Sequence, residues 1–219
     1  MFFKCAHHAP AAETSGHTET VSRNNKHFTV DIHCHIHAPE ADEYVRQESP
    51  EFTGRTMVDS NPITSKINAE QQQTILPKLT DPEIRLKDMD AQGIDVQAIS
   101  TSPFHYNYFF DAEFTRETAR MVNDRMAEVV ASHPDRFVGL GTVPLQNPEM
   151  AVTELDRCID ELGFKGVEIS TNVNGQDLTR AGLEKFFAAC EEKDVMIFIH
   201  PIGTSYVDRM DDHYFRNTI

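Results

Sequence analysis

From residue 28 onward, short apolar runs alternate with longer stretches in which apolar residues recur every three or four positions. Short runs read as strands and the 3.6-residue recurrence as helices. Phe28 to His33 is a β-prone run, interrupted by Asp31, which is an odd residue for a buried strand. Residues 38–80 are polar and carry Pro39, Pro50, Pro62 and Pro77; with no clear periodicity, they read as an insertion lying over one end of the domain. From Asp81 the pattern is regular. Thr80-Asp81-Pro82-Glu83 opens a helix that runs to Gln92 and stops at Gly93. Val96 to Ser100 is a strand. Thr115 to Ser132 is a helix with Ala119, Val122, Met126 and Val129 on one stripe, and Phe137 to Val143 a strand. A helix over Pro148 to Leu162, a strand over Gly166 to Ser170, a helix over Leu183 to Lys193 and a strand over Val195 to His200 complete the series.

Strict alternation of strand and helix implies parallel strands joined by crossovers. A doubly wound sheet and a (β/α)₈ barrel both fit. The first strand ends in histidines rather than in a glycine-rich phosphate turn, which removes the usual nucleotide-binding version of the doubly wound sheet.

The chemistry concentrates in Asp31-Ile32-His33-Cys34-His35. Alternate strand residues share a face, about 7 Å apart, so His33 and His35 can converge on one metal ion. Asp31 shares their parity and is expected to orient an imidazole. A third histidine, His200, ends the apolar strand of Val195-Met196-Ile197-Phe198-Ile199, and Pro201 forces an extended exit. Ends of this kind are where parallel α/β folds keep their sites. By the same topology Thr101, Phe104, His105 and Tyr106 follow the second strand and Asn172 and Asn174 the fourth, where they are candidates for substrate contact.

Several segments together carry a family resemblance: DIHCH, RLKDMDAQGIDVQAIST, RFVGLGTVPLQNPEMAV, ELGFKGVEISTNVNG and IFIHP. They resemble the amidohydrolase-related family of the amidohydrolase superfamily, in particular its aminocarboxymuconate-semialdehyde decarboxylase-like members, over nearly all of residues 28–219. The resemblance implies a (β/α)₈ barrel with one divalent metal, zinc being the expected ion, held here by His33, His35 and His200. It implies non-oxidative decarboxylation of a small unsaturated or aromatic carboxylic acid. Hydrolysis of a lactone or amide by the same centre is the alternative, and a truncated, non-catalytic chain is a third reading. In the family a histidine after the sixth strand serves as acid/base and an aspartate after the eighth completes the metal site. Both positions fall beyond Ile219, so about five of eight βα units are expected, with residues 1–27 as a disordered extension and 28–219 as the first part of the barrel.

Two departures concern the site. The decarboxylases resemble one another in an arginine before the first helix, and Glu70 to Ile75 has none; Arg55, in the insertion, is the stand-in. Superfamily members with two metals use a lysine at the end of the fourth strand, whereas Lys165 lies at its start. Glu168 lies within that strand, with a structural hydrogen bond as an equal reading. One metal is therefore expected.

Charge narrows the partners. The chain has 20 Lys and Arg against 35 Asp and Glu, a net charge of −15, which argues against nucleic acid and against an anionic membrane surface. A small carboxylic acid remains compatible, because a metal can dominate a local field. No apolar run is long enough to span a bilayer. Residues 1–27 lack the apolar core of a secretion signal, and His7, His8, His17 and His27 read as solvated. Cys5, Cys34, Cys158 and Cys190 form no CxxC pair and read as reduced thiols of a cytoplasmic protein. The family resemblance extends to a homodimer.

Overall fold

The computed structural model describes residues 27–50 and 62–202. Its elements run β1 (Val30–Ile36), α1 (Pro39–Glu48), α2 (Pro62–Thr80), α3 (Pro82–Gln92), β2 (Val96–Thr101), a 3₁₀ turn (Pro103–His105), α4 (Ala112–Ser132), β3 (Phe137–Gly141) and α5 (Pro148–Asp156). A π turn (Arg157–Glu161) prolongs α5; β4 (Gly166–Ser170), the β5 (Asn172–Val173) and β6 (Gln176–Asp177) hairpin, α6 (Glu184–Glu192) and β7 (Met196–His200) follow.

Local chemistry sets most of these boundaries. Asp81 Oδ1 accepts from the Glu83 amide at 2.8 Å and starts α3, which ends on Gly93 at φ +71°, the left-handed value that glycine adopts without a Cβ penalty. Asn147 Oδ1 caps α5 through the amides of Glu149 and Met150. Helix α4 starts before the expected Thr115, because Asp111 accepts from the Phe114 amide at 2.9 Å. Strand β3 ends before the expected Val143, because the Thr142 amide turns away to Asn123 Oδ1 at 2.9 Å. The stretch 38–80, expected to lack regular structure, holds α1 and α2 among its described residues. Pro39 sits in the first turn of α1, where its missing N–H costs nothing. Pro77 lies inside α2, which hid that helix from a reading that treats proline as a stop.

Five strands form one parallel sheet in the order β1-β2-β3-β4-β7, with β1 and β7 at its edges. In a flat sheet the two edges would lie roughly 19 Å apart, four spacings of about 4.8 Å. Yet the rings of His33 on β1 and His200 on β7 have centroids 5.0 Å apart, and His33 lies 5.3 Å from Phe198. The sheet is therefore strongly curled, and the arc is that of a partial (β/α)₈ barrel rather than an open doubly wound sheet.

The curl separates two faces. On the outer face Ile36, Ile99 and Phe137 pack with Met89 of α3 and with Met126 and Val129 of α4. Further round, Val167 and Ile169 pack with Leu155 of α5 and with Phe186 and Cys190 of α6. Burying each such side chain contributes about 1.5–3 kcal/mol. A polar latch joins the two halves: Asn123 of α4 donates to Thr142 O and to Glu154 Oε1, and Arg157 donates to both Glu154 oxygens. The inner face carries Ser100, Glu168 and Ser170, all fully or nearly buried, toward the strands' C-terminal ends.

Close backbone approach limits what the inner face tolerates. A Cβ built on Gly166 would overlap the carbonyl oxygen of Met196 in the neighbouring strand, where no side chain can swing aside. We expect Gly166→Ala to destabilise the protein by about 2–3 kcal/mol, read as a lower urea midpoint with an unchanged slope. An unchanged midpoint would show that β4 and β7 are not packed this closely.

Candidate metal centre

The site begins with an irregularity in β1. Asp31 pairs with Gln97, but Cys34 pairs with Ile99, so three steps along β1 span two along β2. This bulge interrupts the alternation. Beyond it His35 pairs with Ser100 and faces inward, while Asp31 pairs with Gln97 on the helix-covered side. Parity counted from the sequence puts Asp31 beside the imidazoles. In the structure its Oδ1 accepts from the His33 backbone amide at 3.2 Å and its Oδ2 from Gln97 Nε2 at 3.1 Å. Asp31 thus bears on His33 through the main chain rather than the ring. Arg85 of α3 completes this backing: it donates to Gln97 Oε1 at 3.0 Å and to the carbonyl of His35.

His33, His35 and His200 converge. Their ring centroids are separated by 4.9–5.0 Å, and one nitrogen from each falls within 4.8 Å of the others. His35 Nδ1 lies 2.7 Å from the Thr101 carbonyl. A carbonyl only accepts, so Nδ1 carries the hydrogen and the Nε2 lone pair of the neutral ring is directed to His33 Nε2, 3.2 Å away. Two nitrogens that share a tetrahedral metal at about 2.0–2.1 Å sit roughly 3.3 Å apart, so the observed gap suits a common cation. The His200 Nδ1 is buried and has no hydrogen-bond partner among the described residues.

Burial favours the neutral, ligating form of His35 and His200. Burial pushes His35 down to about 3, with the neighbouring His200 and His33 adding to the effect, and burial followed by His33 lowers His200. Neutral imidazole is the form that binds a metal.

Glu168 on β4 stands behind His35. Its side chain is fully buried, Oε2 lies 3.6 Å from His35 Nδ1, and Oε1 accepts from the Tyr106 hydroxyl at 2.6 Å. Burial pushes this carboxyl up to about 7, against the opposing pull of hydrogen bonds from Ser100 and Tyr106. Its inward parity was legible in the sequence; the pairing with Tyr106, which is distant in sequence, was not.

The remaining sequence candidates separate. Thr101 supplies the carbonyl that fixes His35, and Tyr106 holds Glu168. Phe104 is exposed, at 42 %. His105 is buried and turned to Asp42, with Nε2 3.1 Å from Oδ1. Asn172 ties its own turn to the exit of β7, accepting from the Gly175 amide and donating to Ile202 O. Asn174, at φ +51°, donates to Tyr108 O at 2.7 Å. Arg55 lies outside the described residues. Sequence reasoning passed over His37 and Asp42, which bond to each other at 2.8 Å. The recurrence of histidine at every second position through His37 was the available signal.

Comparison with known proteins gives this geometry a context. A family model described as amidohydrolase matches residues 30–217. A 2-amino-3-carboxymuconate-6-semialdehyde decarboxylase of Dictyostelium discoideum is 37 % identical over 134 residues, which are 61 % of this chain and 37 % of that protein. A gamma-resorcylate decarboxylase of Polaromonas sp. is 32 % identical over 157 residues, 68 % of this chain and 47 % of its own. The crystal structure of a 5-carboxyvanillate decarboxylase from Novosphingobium aromaticivorans, complexed with manganese and 4-hydroxy-3-methoxy-5-nitrobenzoic acid, superposes with a TM-score of 0.76 at 29 % identity, over 92 % of this chain and 60 % of that one. The chain thus spans between about a third and three-fifths of these relatives' lengths. Among the described residues no helix is long and apolar enough to cross a membrane. The match over residues 30–217 and the three histidines gathered at the strand ends of a partial barrel agree: this chain belongs to the amidohydrolase family.

Proposed function

We propose that this protein is a metal-dependent, non-oxidative decarboxylase of a small aromatic or unsaturated carboxylic acid. The observation that carries this reading is the convergence of His33, His35 and His200 at the C-terminal mouth of the curled sheet. Support comes from the decarboxylases among its relatives. In such a reaction the carbon–carboxyl bond breaks, CO₂ departs and a proton takes its place on carbon.

Each residue has a separate task in this reading. His33, His35 and His200 hold one divalent ion, which when bound draws electron density from the substrate's oxygen atoms. Three imidazole donors favour zinc over manganese, following ligand softness and the general affinity order. Thr101 fixes the tautomer of His35, and Arg85 steadies the strand behind it. Glu168, holding its proton up to about pH 7, adds no fixed negative charge beside His35 under weakly acidic conditions.

The substrate class is testable directly. With carboxyl-labelled aromatic and muconate-type acids, released labelled CO₂ is the expected product; a ring-opened acid from a lactone panel, without CO₂, would overturn the decarboxylase reading in favour of hydrolysis.

For the ligands, His33→Ala and His200→Ala should each lower the bound zinc by about one equivalent per chain, measured by elemental analysis of the purified chain after dialysis. A zinc content unchanged from that of the unsubstituted chain in both variants would sink the assignment.

Glu168 yields a pH signature in the metal-free chain. Its folded value of about 7 lies above the ordinary 4.5, so the folded state binds the extra proton between these values. Stability from this group is full below about pH 4.5, falls through the window and is lost above about pH 7. The loss is roughly 3 kcal/mol. Glu168→Gln should flatten that part of the stability profile; a slope identical to that of the unsubstituted chain would exclude Glu168 as its origin.

A further inference from the structure

A second group of metal-ligating side chains lies apart from the three histidines above. His37 follows the last residue of β1, Asp42 stands in the first turn of α1, and His105 closes the 3₁₀ turn after β2. His37 Nε2 is 2.8 Å from Asp42 Oδ2, and His105 Nε2 is 3.1 Å from Asp42 Oδ1. The two rings lie 4.6 Å apart, tilted by 33°. One ligand atom from each of the three residues falls within 4.8 Å of the other two.

We propose that His37, Asp42 and His105 form a second divalent-metal site, for a zinc-class ion, that clamps the exits of β1 and β2 to α1. Two imidazoles and a carboxylate suit zinc and its first-row neighbours rather than calcium or magnesium. Ligand atoms around such an ion stand about 3.3 Å apart. The observed gaps of 2.8 and 3.1 Å are those of an Asp42 carboxylate bridging two imidazole N–H groups, and they open to ligating distance with shifts of a few tenths of an ångström.

The three groups are already positioned. His37 is held by its amide donating to Leu79 O at 3.0 Å, and His105 by its amide donating to Ser102 O at 2.9 Å. The His105 side chain is 1 % exposed and the Asp42 side chain 41 %, so an ion could enter from solvent on the carboxylate side and keep water there. Ligation through Nε2 requires the hydrogen on Nδ1. Thr101 Oγ1 lies 3.5 Å from His105 Nδ1, in place to accept it. Burial lowers His105 toward its neutral, ligating form.

The chemical alternative is a plain hydrogen-bonded latch, with no ion. The test uses the full 219-residue chain carrying His33→Ala, His35→Ala and His200→Ala, titrated calorimetrically with Zn²⁺ and, for its visible absorption, with Co²⁺. The proposal expects one equivalent bound. It expects Asp42→Asn, added to this background, to weaken that binding at least about 100-fold, since changes even behind a ligand cost 10–100-fold. Asp42→Asn keeps an acceptor for one imidazole, so a latch would be far less affected than a ligand. If that variant loses its folded circular dichroism, His37→Gln takes its place, with the same loss of binding expected. No bound ion in the triple variant overturns the proposal. So does binding that survives both substitutions, which would place the ion on other groups such as His7, His8 and His17 near the N-terminus.

Discussion

His33 and His200 meet although they sit on the two edge strands of a five-stranded sheet. That meeting depends on curvature, and curvature depends on what each face can pack. Outward-facing Ile99, Phe137, Val167 and Ile169 are covered by α3 to α6, whereas the inner face mixes small and polar groups, Ala98, Ser100, Glu168 and Ser170, with the apolar Leu140 and Phe198. Gly166 sits where its neighbour's carbonyl leaves no room for a Cβ. A thick apolar layer with its helices outside and a narrow, close-packed inner face go with a sheet bent around its strand ends, and those ends hold the histidines.

The bulge in β1 divides the work of a few adjacent residues. Before it, Asp31 faces the helix layer and joins Gln97 and Arg85 in a network that grips the strand from behind. After it, His35 faces inward and is locked by the Thr101 carbonyl, with Ser100 Oγ 3.2 Å from the same nitrogen. Two histidines spaced two residues apart need one rigid backbone to converge, and the Asp31–Gln97–Arg85 network holds that strand from its helix-covered side.

Electrostatics at the mouth run against the chain's bulk charge. The protein is strongly acidic overall, yet the centre gathers three imidazoles, of which His35 and His200 are pushed toward the neutral form by burial and by neighbouring rings, and a carboxyl that holds its proton up to about pH 7. Each departure from ordinary ionisation has the same cause, the loss of water from the inner face. A divalent cation is the group that relieves this arrangement, because neutral nitrogens and a nearby carboxyl then have a positive charge to face.

The order and type of the sheet strands and longer helices from Asp81 onward were written in local patterns, though the short β5–β6 hairpin was not. Caps at Asp81 and Asn147, a stop at Gly93 and apolar runs ending in His35 and His200 are features that neighbours in sequence decide, and the histidine set was legible for that reason. The family resemblance, too, rests on contiguous motifs. Other features were decided only by tertiary packing. Helices α1 and α2 hide behind prolines and polar runs, and the proline in α2 is tolerated within a helix whose other hydrogen bonds and packing hold. The bulge that turns Asp31 from the imidazoles is a property of pairing between β1 and β2. The Tyr106–Glu168 bond spans 62 positions and the His105–Asp42 contact 63, beyond any local periodicity. Sequence by itself determined which residues could ligate and which runs could be strands, because those depend on composition and spacing. Which of them face one another was left to the curled sheet, because facing is set by register and curvature, and both arise between strands rather than within them.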